Sequence, residues 1–261
     1  MFRKILNILK HWFNSFLGAL VFYTIIPLPS HWPLEFNRIA CWAPMVGVGL
    51  GAILGLFDEI LNYLGFPLPV RSGLIVALWL KLTGGLHLDG VVDTADGLGV
   101  TDTTRRLAVM QDSVTGAFGV MAAIVVLGLK TIALSQISSD RGLIIMIAAG
   151  WGRWGQVGAI AFYPYLKPTG KGAFHKQQIK LPEDLLWGLI TLLVITGVWI
   201  AFHQQKWRLG LESVIMGCIL ALGIGFWFYR RLGGHTGDTY GAVVEWTEAL
   251  ILCSLSRDLT F

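Results

Sequence analysis

The sequence predicts an all-α fold, a polytopic bundle of transmembrane helices forming a single integral membrane domain over residues 1–261. Hydrophobic residues make up 54 % of the chain and charged residues only 14 %, and the mean hydropathy is +0.64. Soluble globules carry about 25 % charged residues. Apolar runs close to the length of a bilayer crossing, roughly 17–25 residues, recur along the whole chain. Lipid is therefore expected to be the main solvent of this protein.

The apolar runs predict about seven to eight membrane segments. The first, third and last runs are short or interrupted by polar residues. Glycine is abundant, with 32 residues, and small residues let membrane helices approach closely. The expected segments are 12–28, 39–57, 71–87, 117–137, 143–162, 185–202, 213–229 and 241–255.

The charge distribution excludes some functions. The net charge is +4, but the 20 Lys and Arg residues are scattered between apolar runs, whereas a nucleic-acid binder concentrates them in a patch. We therefore expect no nucleic-acid partner. Three isolated cysteines without CxxC spacing argue against a disulfide framework or a thiolate zinc site.

The loops predict the orientation in the membrane. If the predicted segments all cross, the loops 88–116, 163–184 and 230–240 share one side. They carry eight Lys or Arg residues, including Lys171, against three in the intervening loops. The positive-inside rule places the eight-charge side in the cytoplasm. The basic N-terminus fits this orientation only if segment 12–28 is re-entrant or interfacial.

An acidic segment carries the strongest chemical signal. Asp89, Asp93 and Asp96 are spaced four and three residues apart, which puts them on one face of a helix. Clustered carboxylates repel one another unless a cation binds between them, and their hard oxygens prefer Mg²⁺, Mn²⁺ or Ca²⁺. The residues between them are Gly, Val, Thr and Ala, whereas a solvated acidic face normally includes cations. We expect all three to be catalytic metal ligands.

Residues flanking this segment are further candidates. His87 could be a ligand, a general base or a member of a polar network, and the sequence leaves these roles open. Arg105 or Arg106 could clamp phosphate oxygens or simply anchor the chain at the membrane surface.

A second flanking stretch precedes the fourth predicted segment. Asp112 and Ser113 are expected to cap that helix and to take part in substrate binding. Gly116 and Gly119 are expected to leave its amino end open to an anion.

Ionisable residues inside predicted segments are costly and are candidates for function. Lys130 and Arg153 lie well inside apolar runs, so each needs a phosphate or an acidic partner. We assign both to substrate binding, with structural pairing as the alternative.

The C-terminal region adds three acidic residues. Asp238 follows a glycine pair in a loop that parity places beside Asp89, and we assign it to substrate binding, with helix capping as the alternative. Glu245 and Glu248 lie in an apolar run and need a cation or a proton. We expect Glu245 to be a fourth metal ligand.

Three motifs in combination resemble the cobalamin synthase family, the adenosylcobinamide-GDP ribazoletransferases. They are GGLHLDGVVDTADG at 84–97, MQDSVTGAFG at 110–119 and GGHTGD at 233–238. The stretch TIIPLP at 24–29 extends the resemblance over nearly the full chain. Gln111 stands where many members have Lys, which removes one possible phosphate contact.

The resemblance implies a Mg²⁺-dependent enzyme of the bacterial inner membrane that assembles the nucleotide loop of cobalamin. It would join adenosylcobinamide-GDP to α-ribazole, or to α-ribazole 5′-phosphate, and release GMP. A metal on Asp89, Asp93 and Asp96 would bridge the pyrophosphate, and a ribazole hydroxyl would attack the corrinoid-linked phosphorus. An aspartate or His87 would remove the proton of that hydroxyl.

Two other functions remain as alternatives. A CDP-alcohol phosphotransferase also uses clustered aspartates in membrane helices, but Asp93-Thr94 stands where its signature has Ala-Arg. An ion-coupled transporter would also place acidic and basic residues inside the membrane. The expected partners are the small-molecule substrates and membrane lipid, and association into a homo-oligomer is left open.

Overall fold

A computed structural model describes residues 2–167, 170 and 172–257 and confirms the all-α prediction. Lys171, one of the eight basic loop residues, lies outside this range. In the described part, the helices are connected by short loops and by 3₁₀ turns at Ile39–Trp42, Thr103–Arg105 and Gln204–Lys206. The helices are α1 (Phe2–Tyr23), α2 (Ala43–Tyr63), α3 (Leu68–Leu82), α4 (Leu86–Gly99), α5 (Arg106–Val109), α6 (Ala117–Gln136), α7 (Arg141–Phe162), α8 (Ala173–Gln178), α9 (Glu183–Phe202), α10 (Trp207–Leu232) and α11 (Gly237–Leu255).

Five of the described helices are long and apolar enough to cross a membrane: α2, α6, α7, α9 and α10, with α2 and α10 extended by their preceding 3₁₀ turns. Helices α3 and α4 qualify only together, and they are bent by 90° relative to each other. The count is therefore five, or six with the bent pair, and seven to eight crossings are not confirmed. The first and last predicted segments do form helices, but α1 contains three basic residues and α11 three acidic ones.

Helix α7 lies at the centre of the bundle, and its backbone contacts that of α2. A Cβ atom added at Gly47 would lie 2.4 Å from the carbonyl oxygen of Ala149, and one at Gly51 would lie 2.4 Å from the Cα of Met146. Only glycine fits at such distances, and this spacing of four residues is typical of close helix pairs in membranes. Nearly all of α7 is consequently buried.

The bend between α3 and α4 occurs at two glycines. Gly84 and Gly85 have φ values of 61° and 73°, in the left-handed region that other residues rarely adopt. The third predicted segment, 71–87, is therefore wrong at its end, because α3 stops at Leu82 and the chain turns away. The acidic segment that follows is the helix α4, as the spacing of its aspartates predicted, and it packs against α6 and α11.

A buried ion cluster joins α2, α3 and α7. Asp58 is completely buried and accepts hydrogen bonds from Arg141, with Nε–Oδ2 and Nη2–Oδ1 distances of 2.7 and 3.0 Å, and from Arg71. Arg141 was expected in a loop on the side with few basic residues, but it is only 3 % exposed. Its charge is therefore neutralised inside the protein.

Candidate active site

The site is built where α4 crosses the first turn of α11. A Cβ atom at Gly90 would lie 2.3 Å from the carbonyl oxygen of Asp238, and one at Gly241 would lie 3.0 Å from the Cα of His87. Each helix therefore presents a glycine to the backbone of the other. This contact brings Asp89 and Asp238 to the same cavity, although they are far apart in the sequence.

Three carboxylates gather around this crossing. Asp93 is half-buried, and the negative charges of Asp89 and Asp238 both act on it unfavourably, while Lys167 acts favourably. Lys167 Nζ lies 3.0 Å from Asp238 Oδ2. Within the described residues, Asp89 and Asp93 accept no hydrogen bond, so two carboxylates are free to bind a cation or a substrate.

The loop after α7 holds Lys167 in place. The backbone N–H of Leu166 donates to the carbonyl oxygen of His235 at 2.8 Å, and the N–H of His235 donates to that of Pro164 at 2.9 Å. His235 is fully buried, its Nε2 lies 3.1 Å from the carbonyl oxygen of Gly225, and burial lowers its pKa to about 4. The neutral, bonded imidazole thus fixes His235, and the backbone of His235 holds the loop that carries Lys167.

Asp238 is not the cap of α11. Thr236 caps that helix, and its side chain and that of Thr239 bond each other's backbone N–H in a reciprocal capping box. The alternative of a capping role for Asp238 is therefore wrong. Its carboxylate instead accepts from Lys167 and, at 3.1 Å, from the hydroxyl of Thr236.

Asp96 caps α6. Its Oδ2 accepts from the N–H of Gly116 at 2.7 Å, and its Oδ1 accepts from the N–H of Gly119 at 2.8 Å. The first N–H groups of a helix lack partners within the helix and carry a partial positive charge, and this carboxylate satisfies two of them. The amino end of α6 is therefore filled by Asp96 and is not open to another anion.

Asp112 and Ser113 were expected to cap the same helix, and this prediction is wrong. Both are exposed, and Asp112 Oδ1 instead accepts a hydrogen bond from the N–H of Val114 at 3.1 Å, within its own loop. Their assignment to substrate binding stays a prediction.

The two arginines before α6 differ in their surroundings. Arg106 is half-buried and donates through Nη1 to the carbonyl oxygen of Arg231 at 3.1 Å and through Nε to that of Val100 at 3.4 Å. It therefore ties the loop after α4 to the end of α10. Arg105 is exposed, so of the two it is the one available to bind a phosphate.

Four charged side chains form a buried group inside the bundle. Lys130 Nζ lies 2.5 Å from both Glu245 Oε2 and Glu248 Oε2, and Arg153 Nη1 lies 2.6 Å from Glu248 Oε1. All four are at most 4 % exposed. Charges removed from water are tolerated when they are paired, and here two cations offset two anions.

This charged quartet corrects three predictions. Lys130 and Arg153 were assigned to substrate binding, and Glu245 to the metal. The structure pairs these groups with one another in the interior, where they are not available to a substrate. Glu245 also lies seven residues beyond Asp238 on α11, about 10 Å along the helix axis.

A cavity of about 450 Å³ opens beside Asp89 and Asp238. Four of its lining side chains are at most 4 % exposed and have polar atoms without a hydrogen-bond partner in the described part of the chain. These side chains are His87, Gln156, His175 and Tyr240. Buried polar groups normally have partners, so this concentration at one cavity indicates a binding site.

Comparison with known proteins identifies the family. A family model described as cobalamin-5-phosphate synthase matches residues 15–256. The chain belongs to the cobalamin-5-phosphate synthase family. This confirms the resemblance drawn from the three motifs, and membership of this family decides against a CDP-alcohol phosphotransferase and an ion-coupled transporter.

Curated relatives are similar over nearly their whole length. A protein of Trichormus variabilis named adenosylcobinamide-GDP ribazoletransferase is 54 % identical over 242 residues, covering 93 % of this chain and 96 % of the relative. One of the same name from Synechococcus is 52 % identical over 239 residues, with 92 % and 94 % covered. A third, from Prochlorococcus marinus, is 36 % identical over 256 residues, with 95 % and 97 % covered. No solved structure matches.

In this member of the cobalamin-5-phosphate synthase family, sequence reasoning missed several residues of the site. Lys167 was counted only for orientation, and His175 and Tyr240 carried no signal. Gln156 is a polar residue within an apolar run, which could have marked it as a candidate. Contacts between residues far apart in the chain, 71 positions for Lys167 and Asp238, create this site.

The residues fit a magnesium ion in part. Among the described residues, no three His, Cys, Asp or Glu side chains converge as a ready-made metal site. Mg²⁺ is usually bound by one or two carboxylates, with substrate phosphates and waters completing its shell. The free carboxylates of Asp89 and Asp93 suit that mode. Asp96 and Glu245 do not suit it, because Asp96 is bonded to α6 and Glu245 is paired with Lys130.

Proposed function

We propose that this chain is an adenosylcobinamide-GDP ribazoletransferase, which completes the nucleotide loop of cobalamin. It transfers the adenosylcobinamide phosphate group of adenosylcobinamide-GDP to α-ribazole, or to its 5′-phosphate, and releases GMP. Membership of the family supports the reaction. The structural observation that carries the proposal is the glycine contact of α4 and α11, which brings Asp89 and Asp238 to one cavity, with Asp93 close enough for both charges to act on it.

The reaction exchanges one phosphorus–oxygen bond for another. A ribose hydroxyl oxygen of ribazole attacks the phosphorus that is linked to cobinamide, and the bond from this phosphorus to the bridging pyrophosphate oxygen breaks. GMP leaves with that electron pair. The hydroxyl proton passes to an aspartate of the cluster or to His87, whose ring nitrogens are unpartnered within the described chain. Lys167 holds Asp238 at the entrance of the cavity.

We further propose that the enzyme depends on Mg²⁺, which the free carboxylates of Asp89 and Asp93 would hold. When bound, the ion would neutralise the pyrophosphate and the charge developing on the leaving GMP. Asp96 then acts as a positioning residue, because its bonds to α6 fix the orientation of α4. This divides the three motif aspartates between two roles.

We propose that the protein lies in the inner membrane of a bacterium and that its active site faces the cytoplasm. The distribution of basic residues supports this orientation: eight belong to the loops on the side of Asp89 and three to the other loops. Arg141, one of those three, is buried against Asp58 and contributes no surface charge.

GMP release by the purified full-length protein tests the proposed reaction. GMP should form from adenosylcobinamide-GDP only when α-ribazole or its 5′-phosphate is added, and chelation of Mg²⁺ should stop it. Asp93→Asn should lower the rate at least ~100-fold, since a metal ligand supplies several kcal/mol of charge stabilisation. Glu59→Gln changes an exposed acidic residue of α2 and should leave the rate unchanged.

Two results would contradict the proposal. GMP formation without a ribazole acceptor would identify a hydrolase. Full activity of a folded Asp93→Asn protein at low Mg²⁺ would remove the metal role of that carboxylate.

A further inference from the structure

The side chains that line the cavity beside Asp89 fall into two chemically different groups, called here the apolar wall and the polar wall. One wall is apolar and comes from α1, the loop after it and the start of α4. Its residues are Val21, Phe22, Phe36 and Leu86. The other wall is polar and comes from α4, α7, α8 and α11. It consists of His87, Gln156, His175 and Tyr240. Such a mixed lining suits a ligand that combines an apolar ring with several polar groups.

The polar wall is held in position by its surroundings. Lys176, next to His175 on the short helix α8, donates from Nζ to the carbonyl oxygens of Ile160 and Ala161 at the end of α7, at 2.8 and 3.1 Å. The ring of His175 lies parallel to that of Tyr23, with the centroids 6.1 Å apart. These contacts fix His175, yet neither of its ring nitrogens finds a partner among the described residues.

Buried polar atoms that lack a hydrogen-bond partner destabilise a folded protein. At this cavity, both nitrogens of each histidine, the Oε1 of Gln156 and the hydroxyl of Tyr240 all lack partners within the described chain. A ligand that supplied both donors and acceptors would remove that destabilisation. The polar wall is therefore built for a molecule bearing several hydroxyl or similar groups.

The polar wall is also uncharged. Burial lowers the pKa of His175 to about 4, so its imidazole is neutral at physiological pH and offers one donor and one acceptor. No Lys or Arg is among the described residues that line the cavity. A phosphate group is therefore poorly matched to the interior, whereas the hydroxyls of a sugar are well matched.

The apolar wall and the volume of the cavity further restrict which ligands can bind. A benzimidazole-type ring has an apolar outer edge, whereas guanine presents several polar groups along its edge and would leave them facing Val21, Phe36 and Leu86. A volume of about 450 Å³ lies within the range of roughly 300–1,000 Å³ that is typical of small-molecule sites. A complete corrinoid is several times larger than a nucleoside and does not fit inside.

We propose that this cavity is the subsite for the ribazole acceptor. The base lies against Val21, Phe36 and Leu86, and the ribose hydroxyls bond the polar wall. Asp89 and Asp238 line the same cavity as that wall. The ribose is thereby presented to the carboxylate cluster where the phosphorus is attacked. This assignment rests on the proposed ribazoletransferase reaction and names the residues that select its acceptor.

Kinetics of two variants of the full-length protein test the assignment. Gln156→Leu removes a hydrogen-bonding group at nearly constant size, and His175→Phe does the same for an imidazole. Each should raise the KM for α-ribazole by at least ~10-fold, since about 1.4 kcal/mol of lost binding corresponds to a factor of ten. The kcat at saturating α-ribazole and the KM for adenosylcobinamide-GDP should remain close to those of the unchanged protein.

Matched controls come from exposed residues of the same types. Gln177→Leu lies on the same short helix as His175, and His31→Phe lies in a surface loop; both positions are exposed. Neither control should change the KM for α-ribazole. Equilibrium dialysis of α-ribazole alone, and separately of GMP, against each protein adds a measurement that does not require turnover.

The outcomes distinguish the proposed ribazole subsite from the proposed transferase reaction. Reduced binding of α-ribazole and unchanged binding of GMP in both cavity variants support the subsite. Reduced binding of GMP with unchanged binding of α-ribazole would assign the cavity to guanosine and overturn the inference. An unchanged KM for α-ribazole in a folded Gln156→Leu protein would also overturn it. Absence of GMP release by the unchanged protein, by contrast, would count against the proposed reaction itself.

Discussion

The Oδ1 of Asp96 accepts a hydrogen bond from the backbone N–H of Gly119 at 2.8 Å. This contact joins the last aspartate of the acidic motif to the glycine that ends the second motif. The two motifs are therefore connected by a helix cap, in addition to any chemistry they share. The cap sets how α4 lies against α6, and so where Asp89 and Asp93 are placed.

Adding a methyl group at Gly119 should disturb the site without removing any functional group. The new Cβ of Gly119→Ala would lie 2.5 Å from Asp96 Oδ2 and 2.9 Å from the carbonyl oxygen of Val92, so α4 and α6 must separate. We expect loss of GMP release and a lower thermal stability in detergent. Gly128→Ala on the same helix meets no described atom within 4 Å and should be neutral or stabilising, because alanine favours helices by about 1 kcal/mol.

Removing the cap itself should cost stability as well as activity. Asp96→Ala leaves two helix N–H groups without their carboxylate, and loss of a helix cap costs about 0.5–2 kcal/mol. Thermal unfolding in detergent would measure this loss. A variant that keeps its stability and loses only activity would show that Asp96 acts on the substrate or metal directly.

The charged quartet should respond to single and paired substitutions in opposite ways. Lys130→Met leaves Glu245 without a cation, and breaking a buried ion pair costs roughly 3–5 kcal/mol. Adding Glu245→Gln removes the uncompensated charge, while Glu248 keeps Arg153 as its partner at 2.6 Å. The double variant should therefore unfold at a higher temperature than Lys130→Met alone. Equal instability of the two proteins would contradict the paired arrangement.

Acid should destabilise the protein through two histidines outside the membrane helices. Burial lowers the pKa of both His175 and His235 to about 4, whereas an unfolded histidine has a pKa of about 6.5. Their stabilising effect is complete above pH 6.5. As the pH falls from 6.5 to 4, the unfolded chain gains protons that the folded chain does not, and each histidine costs about 1.4 kcal/mol per pH unit.

Thermal unfolding at pH 7, 6 and 5 measures this acid sensitivity. His175→Phe should remove about half of it, and the exposed control His31→Phe should leave it intact. A pH dependence that is the same in all three proteins would show that His175 does not titrate as described.

The proposed orientation predicts which loops are accessible from outside the cell. In a background without native cysteines, single cysteines at the exposed positions Thr103 and Gln177 should react with an impermeant thiol reagent only after the cells are opened. A cysteine at exposed Ser138, between α6 and α7, should react in intact cells. Labelling of the cysteine at 103 or 177 in intact cells would show that the orientation is the reverse of the proposed one or that the number of crossings differs.

Local features of the fold and site could be predicted from the sequence, and long-range ones could not. Spacing alone places Asp89, Asp93 and Asp96 on a helix, because helical periodicity is a local property. The cost of intramembrane charge correctly marked Lys130, Arg153 and Glu245 as needing partners, but it could not say that they are partners of one another. The polar side chains of the cavity come from four separate helices, so their assembly depends on how those helices cross.

The predicted number of membrane crossings, seven to eight, is not confirmed for a related reason. Hydropathy predicts one continuous segment over 71–87. However, two glycines in the left-handed conformation turn the chain before the end of this segment. Helix α11 is as long as a crossing, but its acidic residues are compensated inside the bundle. Composition describes each segment of the chain by itself. Whether a segment crosses the membrane also depends on the helices that pack against it.

The charged quartet also constrains how this family can diverge. Two positive and two negative groups share one buried space, so a change at any one of them leaves an excess of charge that the lipid-embedded interior cannot hydrate. Lineages that lose Lys130 are therefore expected to lose a carboxylate at 245 or 248 as well, through a short-lived and poorly folding intermediate or through a nearly simultaneous pair of mutations. We expect the four positions to vary together across divergent chains, even though none of them is proposed to touch a substrate.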